Sequence, residues 1–194
     1  MNSSCAILLV TFLLLFGLSV SSQTPVGGAK LYDKEGLSFN YPTGWQFNDT
    51  SSKNAIEMTF GREDLDATVK VFVFRTPLDS ADKLAEAKKI LVERYITTTT
   101  KSFEDENGHP KGEPSTSEIA ALKAEGVKIH ASLDGVAGVA EIEWAIVQDH
   151  MVVLTLFGPD KAVKMAAPAW DLIRSSIKIA APPAPAATPK KPGN

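Results

Sequence analysis

Apolar residues recur at every second position in several short segments of this 194-residue chain, and this alternation restricts the possible folds more than any other feature. Such a pattern places the apolar side chains on one face of a β-strand. In residues 69–74 both faces are apolar, which predicts a strand near the centre of a sheet. The candidate strands are residues 37–41, 45–47, 56–60, 69–74, 119–124, 127–133, 139–147 and 151–157.

Turn residues separate several of these candidate strands. Asp134 and Gly135 form the strongest turn signal in the chain, since Asp-Gly is typical of a tight hairpin. Glu125 and Gly126 are interpreted as a second tight connection, between residues 119–124 and residues 127–133. These turns predict that neighbouring strands run antiparallel.

Two segments show helical periodicity. The first is predicted to be capped by Asp79 or Ser80 and to weaken at the β-branched residues 97–100. The second is predicted to begin at Asp160, with Pro168 either kinking it or starting its second half. The predicted apolar faces contain Leu84, Ala87, Leu91 and Tyr95 in the first helix, and Val163, Ala166, Ala167, Trp170, Ile173 and Ile177 in the second.

The order of these elements indicates an α+β fold. Strands that follow one another, with helices segregated from them, predict a mostly antiparallel sheet of six to eight strands flanked by two main helices. The polar residues 104–114 are predicted to form an exposed, mobile loop. Residues 31–179 are predicted to form the folded domain.

The two ends of the chain differ from this domain in composition. Residues 1–22 are predicted to be a signal peptide, because the apolar run from residue 6 to residue 18 is shorter than the roughly 20 residues that span a bilayer. Cleavage is predicted between Ser22 and Gln23, with an uncleaved N-terminal anchor as the alternative because the leader lacks Lys and Arg. Residues 23–30 form a polar lead-in, and the Pro/Ala-rich residues 180–194 are predicted to be a disordered tail.

The leader also limits the chemistry of the exported chain. Cys5 is the only cysteine, so cleavage would leave no disulfide, thiol nucleophile or cysteine metal site. The net charge is −3 and no cluster of Lys and Arg occurs, which argues against nucleic-acid binding. We therefore expect a periplasmic or extracellular protein with no stable membrane span after cleavage.

No residue pattern indicates catalysis, a metal site or a cofactor. The histidines His109, His130 and His150 form no HExxH motif, and no G-x-S-x-G elbow occurs. Glu141 and Glu143 are two residues apart and face the same way, so they could act as a carboxylate pair. A solvent-facing strip on an amphipathic strand explains them equally well.

Aromatic residues raise the question of a binding surface. Trp45, Trp144 and Trp170 lie in or beside core-facing patterns, so packing is the favoured interpretation. Tyr41 and Trp45 flank a turn, and together with Glu141 and Glu143 they are the candidate binding surface.

Residues 37–45, Leu-Ser-Phe-Asn-Tyr-Pro-Thr-Gly-Trp, resemble the opening strand and turn of PsbP-like domains, in which an F-x-Y-P-x-G-W run leads into a hairpin. Residues 151–157 and the helix after them are similar to the closing segment of that family, and the resemblance covers about residues 31–179. It implies an antiparallel sheet flanked by helices, with protein binding or an assembly role, and no catalytic residues. Because the leader is unlike a chloroplast transit peptide, an exported bacterial relative is expected.

Three functional hypotheses follow. The first is an exported, non-enzymatic binding or assembly module whose partner is another exported or envelope protein. The second is a small-ligand or lipid carrier that uses a cleft between sheet and helix. The third, weakly supported, is a hydrolase that uses Glu141, Glu143 or His150.

Overall fold

The computed structural model describes residues 28–180. The predicted signal peptide, its cleavage site between Ser22 and Gln23, most of the lead-in and the tail beyond residue 180 lie outside the described residues. The strands are β1 (Ala29–Lys34), β2 (Leu37–Pro42), β3 (Gln46–Asp49), β4 (Ala55–Arg62), β5 (Leu65–Phe74), β6 (Lys111–Ile119), β7 (Leu122–Leu133), β8 (Val136–Val147), β9 (His150–Pro159) and β10 (Lys178–Ile179). The helices are α1 (Ala81–Ala87), a π-helical turn (Lys88–Glu93), α2 (Arg94–Asp105) and α3 (Asp160–Ser176).

Seven strands form the main sheet in the order β3-β4-β5-β9-β8-β7-β6, and all neighbouring strands are antiparallel. A second, three-stranded sheet has the order β1-β2-β10. The predicted α+β fold with a mostly antiparallel sheet and two main helices is confirmed, since α1, the π-helical turn and α2 form one continuous helical segment of residues 81–105.

Both faces of the main sheet are covered. α3 packs on one face together with β2, burying Val69, Leu154 and Trp170 in one apolar cluster. The long helical segment packs on the other face, in a cluster that contains Val92 and Val153. Two covering layers explain why the central strands β5 and β9 carry apolar residues on both faces.

The long helical segment differs from its predicted apolar face. Ser80 caps it, with its Oγ accepting a hydrogen bond from the Lys83 backbone N–H at 3.4 Å. Leu84 is 39% exposed, whereas Ala87 and Val92, five residues apart, are buried. The prediction of Leu84 in the buried face is wrong: Leu84 lies in the first turns of the segment, where Ala87 is the only buried residue of α1, and the π-helical turn that follows places the next buried residue five positions on, at Val92.

The helical segment also extends further than predicted. It passes through residues 97–100 without a break and ends at Asp105, and β6 begins at Lys111. The predicted polar loop of residues 104–114 is therefore wrong in its extent. Packing of the helix on the sheet outweighs the low helical propensity of the threonines.

The connection between β6 and β7 was predicted at the wrong place. The chain turns at Ala120 and Ala121, both with positive φ (53° and 60°), and Gly126 lies inside the continuous strand β7. The hairpin at Asp134-Gly135 is confirmed, with φ of 50° and 79° as a tight primed turn requires. Glycine inside a strand resembles a turn signal, but it also marks a place where other groups come close.

α3 fixes this end of the sheet. It runs from Asp160 to Ser176 with Pro168 inside it. The Ala120 backbone N–H donates to the Arg174 carbonyl oxygen at 2.9 Å. This bond holds the β6–β7 turn against the carboxyl end of α3.

Candidate functional site

Glu143 lies on the face of the main sheet that α3 covers. One row of paired residues on this face reads Ser115, Gly126, Glu143 and Leu154 across four strands. Glu143 is only 4% exposed. The expectation of a solvent-facing strip is therefore wrong for Glu143, because α3 packs over the strand face that was assigned to solvent.

Gly126 makes room for the Glu143 side chain. A Cβ atom at this position would lie 2.6 Å from Ser115 Oγ, 2.9 Å from the Ile142 carbonyl oxygen and 3.3 Å from Glu143 Cγ. These distances are shorter than van der Waals contact, so a larger residue would displace its neighbours. The glycine thus leaves a hollow in the sheet surface at the position where the carboxylate lies.

The hollow opens into a cleft of about 600 Å³ between strands β6–β8 and α3, here called the Glu143 cleft. Its floor includes the small polar residues of β6, and its α3 wall combines apolar and charged side chains. The lining residues are Ser115, Thr116, Ser117, Glu118, Lys128, Glu141, Glu143, Leu156, Val163, Lys164, Ala167, Trp170, Asp171 and Arg174.

Two buried polar atoms in this cleft lack a hydrogen-bond partner among the described residues: Ser117 Oγ and Glu143 Oε2. Arg174 Nη1 is 3.5 Å from Glu143 Oε2, but the same guanidinium contacts Asp171 Oδ1 more closely, at 2.8 Å from Nη2. Buried polar groups are nearly always hydrogen-bonded in native proteins. The carboxylate is therefore only partly compensated within the chain.

Burial raises the pKa of the Glu143 carboxyl above its ordinary value. The Ser117 hydroxyl, which is near the carboxylate but not in hydrogen-bonding geometry with it, and the Arg174 guanidinium oppose this rise, while the Glu141 carboxylate adds to it. Desolvation dominates because a charge loses more by leaving water than the distant, shared guanidinium returns.

Glu141 has a different environment, although it lies in the same cleft. Its Oε1 accepts from Lys128 Nζ at 3.0 Å, and both side chains are partly exposed. The structure thus brings Glu141 and Glu143 together as predicted for neighbours on one strand face. Only Glu143 is left without a close partner.

Tyr41 and Trp45 are separate from this cleft and buried. They are 9% and 5% exposed, and Tyr41 packs against Phe47 and Phe60 with ring centroids 5.8 and 5.4 Å apart. The candidate surface formed by Tyr41 and Trp45 with the two glutamates is therefore wrong. Both aromatic side chains fill the core at the opposite end of the sheet, as the packing interpretation predicts for Trp45.

The histidines also lie away from Glu143. His150 pairs with Val147, four residues along β8 from Glu143, a separation of about 13 Å at the rise of a strand. Its Nδ1 is 2.9 Å from the Phe74 carbonyl oxygen. His109 and His130 are exposed, and His130 Nε2 is 3.4 Å from Glu113 Oε1.

Two further observations concern residues 28–180 as a whole. No group of three His, Asp or Glu side chains in this range is arranged to hold a metal ion. None of the helices in the same range has both the length and the hydropathy needed to cross a bilayer.

A second cleft, of about 590 Å³, lies between the long helical segment and the other face of the sheet. It is here called the long-helix cleft. Phe72, Val153, Leu91 and Tyr95 form an apolar part, and Lys70 and Arg94 are among its polar residues.

Sequence reasoning missed Ser117, Gly126 and Arg174 as parts of a site. One signal was available: residues 151–157 are continuously apolar, so the strand that they form is covered on both faces. A neighbouring strand is then covered as well, and a charged residue in it is a candidate buried group. Arg174 carries no such signal, because its position depends on how α3 crosses the sheet.

Neither a protein-family model nor a curated protein matches the sequence. Among solved structures, the cyanobacterial PsbP (CyanoP) of Synechocystis sp. PCC 6803 is similar over 84% of this chain and 98% of its own, with 14% identity and a TM-score of 0.52. A protein from Bacteroides thetaiotaomicron VPI-5482 matches 79% of this chain and 48% of its own, with 11% identity and a TM-score of 0.50. The Saccharomyces cerevisiae Ran-binding protein Mog1p covers 80% of this chain and 97% of its own, at 14% identity and a TM-score of 0.47.

The similarity to CyanoP defines the class of fold. The chain has the PsbP-like α+β fold that residues 37–45 led us to expect. At such identities the likeness concerns the backbone architecture, and function has to be argued from the site itself.

Proposed function

We propose that this protein is an exported, non-enzymatic binding or assembly module that binds another exported or envelope protein through the Glu143 cleft. The observation that carries the proposal is a pair of buried polar atoms in residues that line an open cleft, Ser117 Oγ and Glu143 Oε2, which make no hydrogen bond within residues 28–180. Leaving such atoms unpaired costs roughly 1–3 kcal/mol each. A ligand group that bonds to them would remove this cost.

The arrangement favours binding over hydrolysis. Lys128 holds Glu141 in an ion pair, and His150 is about 13 Å along the sheet from Glu143. A general base and its orienting group need to lie within hydrogen-bond reach of one another. His150 does not meet this requirement with Glu143, and Glu141 is engaged by Lys128.

Export is supported by the apolar leader of residues 1–22. We expect N-terminal sequencing of the protein recovered outside the cytoplasm to begin at Gln23. A sequence that begins at Met1 would instead favour the uncleaved anchor.

Affinity capture with the exported form as bait tests the binding function. Ala167 is half-buried in the cleft wall on α3, so Ala167→Phe should fill the cleft and reduce recovery of a stoichiometric envelope partner by about tenfold or more. Met165 lies on the same helix but is 52% exposed, and Met165→Phe is the matched control, which should recover the partner normally. Failure of the wild type to capture any partner, or equal capture by Ala167→Phe, would refute the proposal.

The long-helix cleft favours a second candidate, a small-ligand or lipid carrier. Its apolar side chains and the cations Lys70 and Arg94 would suit an amphiphilic ligand with an acidic group. Native mass spectrometry of gently purified protein should then show an added ligand mass. A bare protein mass, also after incubation with a fatty acid, would eliminate this candidate.

A further inference from the structure

Charge and hydrogen bonding in the Glu143 cleft restrict the chemistry of its ligand. Lys128 is paired with Glu141, and Arg174 is paired with Asp171. Neither cation is therefore free to neutralise Glu143 completely. Four carboxylates and three cations line the cleft, which leaves one negative charge in excess when all are ionised: Glu118, Glu141, Glu143 and Asp171 against Lys128, Lys164 and Arg174.

The unpartnered atoms need a hydrogen-bond donor. Ionised Glu143 can only accept hydrogen bonds, and the Ser117 hydroxyl can accept as well as donate. A primary ammonium group is compact and carries three N–H donors, so one group can bond to both atoms and supply the missing charge. A planar guanidinium is larger, and Arg174 already occupies that side of the carboxylate.

The rest of the cleft suits an aliphatic chain attached to such a group. Leu156, Val163 and Ala167 line the cleft together with Trp170. Methylene groups pack well along apolar and aromatic surface while a charged end reaches a polar partner. The cleft thus combines an apolar wall with an acceptor at the buried end.

We infer that the Glu143 cleft binds a primary ammonium group on an aliphatic stem, with the Glu143 carboxylate and the Ser117 hydroxyl as its hydrogen-bond partners. The inference rests on the proposed function and names the ligand chemistry of the same site. Two sources share this chemistry: a lysine side chain of a protein partner and a free alkylamine.

Titration of the exported protein with n-butylamine, followed by NMR, tests the ligand chemistry. We expect shifts at Ser117 and at the Trp170 indole, with 1-butanol binding about tenfold more weakly because it lacks the charge. Butyltrimethylammonium, which keeps the charge but has no N–H donor, should also bind more weakly. Equal binding of n-butylamine and 1-butanol by the wild type would overturn the inference without requiring any variant.

Glu143→Gln tests the carboxylate, since glutamine has nearly the same shape. We expect n-butylamine affinity to fall about tenfold or more. Glu125→Gln is the matched control: Glu125 lies one residue from Gly126 on the opposite face of the sheet, where its Oε2 accepts from Lys88 Nζ at 2.6 Å. Unchanged affinity in Glu143→Gln, or an equal loss in both variants, would contradict the inference.

Partner capture distinguishes a lysine side chain from a free alkylamine as the ligand. It also tests ammonium recognition separately from the protein-binding function. If a lysine side chain is the ligand, n-butylamine should compete with the captured partner, and Glu143→Gln should recover less of it. A partner that Glu143→Gln captures normally and that n-butylamine does not displace would refute ammonium recognition while the binding function stands. Glu143-dependent n-butylamine binding without any protein partner would refute the protein-binding function and identify a free amine as the source.

Discussion

The two halves of one sheet face are built in opposite ways. On the β3–β5 half, the face under α3 and the small sheet is filled with aromatic rings, and Phe60 at its centre is fully buried. On the β6–β8 half, the same face carries Ser115, Gly126 and Glu143 and opens into a cleft. One row of paired residues changes from apolar side chains to a carboxylate and small residues across the sheet. It reads Met58, Val71, Leu154, Glu143, Gly126 and Ser115.

Two carboxylates, Asp49 beside the Met58 end of this row and Glu143 within it, show the same contrast. Asp49, which pairs with Met58, accepts a hydrogen bond from the Ser51 backbone N–H at 3.0 Å and contacts Lys34. The bonds from Ser51 lead the effects that lower its pKa to about 2. The pKa of Glu143 moves the other way because burial dominates. The carboxylate beside the filled half is thus well compensated, whereas the one in the hollow half is buried and only partly compensated.

Phe60→Ala is expected to have the largest effect on stability. Phe60 is 0% exposed, with ring centroids 5.6 Å from Phe39 and 5.3 Å from Phe47, so its removal should lower the free energy of unfolding by about 3–5 kcal/mol. Phe47→Ala, at an edge residue that is 40% exposed, is the control and should cost much less. Urea denaturation measures both, and equal losses would show that the aromatic half is not a filled core.

Gly126→Ala tests whether the absence of a side chain at this position keeps the space beside Glu143 open. The added Cβ would come within 2.9 Å of the Ile142 carbonyl oxygen, which should cost about 1–3 kcal/mol of stability. Gly112→Ala is the matched control in the neighbouring strand, because its Cβ would meet its nearest atom, Val127 Cγ2, at 3.7 Å. A small effect at both positions in thermal denaturation would mean that Gly126 does not hold open the space beside Glu143.

Much of this architecture could be predicted from the sequence, because alternation and the Asp134-Gly135 turn report on local backbone geometry. The phase of the long helix could not, since the π-helical turn depends on how the segment fits the sheet and buries Val92 more fully than the predicted Leu91. The candidate site is harder to predict from the sequence than the phase of the helix. Alternation shows that Glu143 faces away from Ile142, but only the path of α3 shows that this second face is covered.

Stability should depend on pH with opposite signs at the two carboxylates. Because the folded-state pKa of Glu143 is raised, the folded protein should lose stability as pH rises from the ordinary value of 4.5 through the raised value. Glu143→Gln should remove this loss, because glutamine does not titrate in this range. Urea denaturation between pH 4 and pH 8 would contradict this if both proteins gave parallel curves.

Asp49 is the control for this prediction, because its pKa is shifted in the opposite direction to that of Glu143. Its lowered pKa stabilises the fold above the ordinary value of 3.8, and this contribution disappears as pH falls through about 2. Asp49→Asn should therefore lower stability at pH values above about 3.8 and abolish the pH dependence between about 2 and 3.8. A change in the slope of the stability profile in the range in which Glu143 titrates would show that the two halves are electrostatically coupled.

Ser117→Ala is expected to cause no loss of stability. Its Oγ is buried and makes no hydrogen bond among the described residues, and an unpaired buried hydroxyl destabilises the fold, so its removal should leave the free energy of unfolding unchanged or raise it by up to about 1–3 kcal/mol. Thermal denaturation of the ligand-free protein measures this. A loss above about 1 kcal/mol would show that the hydroxyl has a structural partner and that the hollow half is less open than its geometry indicates.

The edge strand beside the cleft has a consequence for how the protein meets other chains. β6 is the last strand of the main sheet, and it carries Lys111, Glu113 and Glu118 together with Pro114, which has no backbone N–H to donate. Charge and proline on an edge strand discourage another strand from pairing with it. Pairing of two copies through this edge is therefore disfavoured, and we expect a protein that binds at this end to be recognised by side chains rather than by backbone pairing.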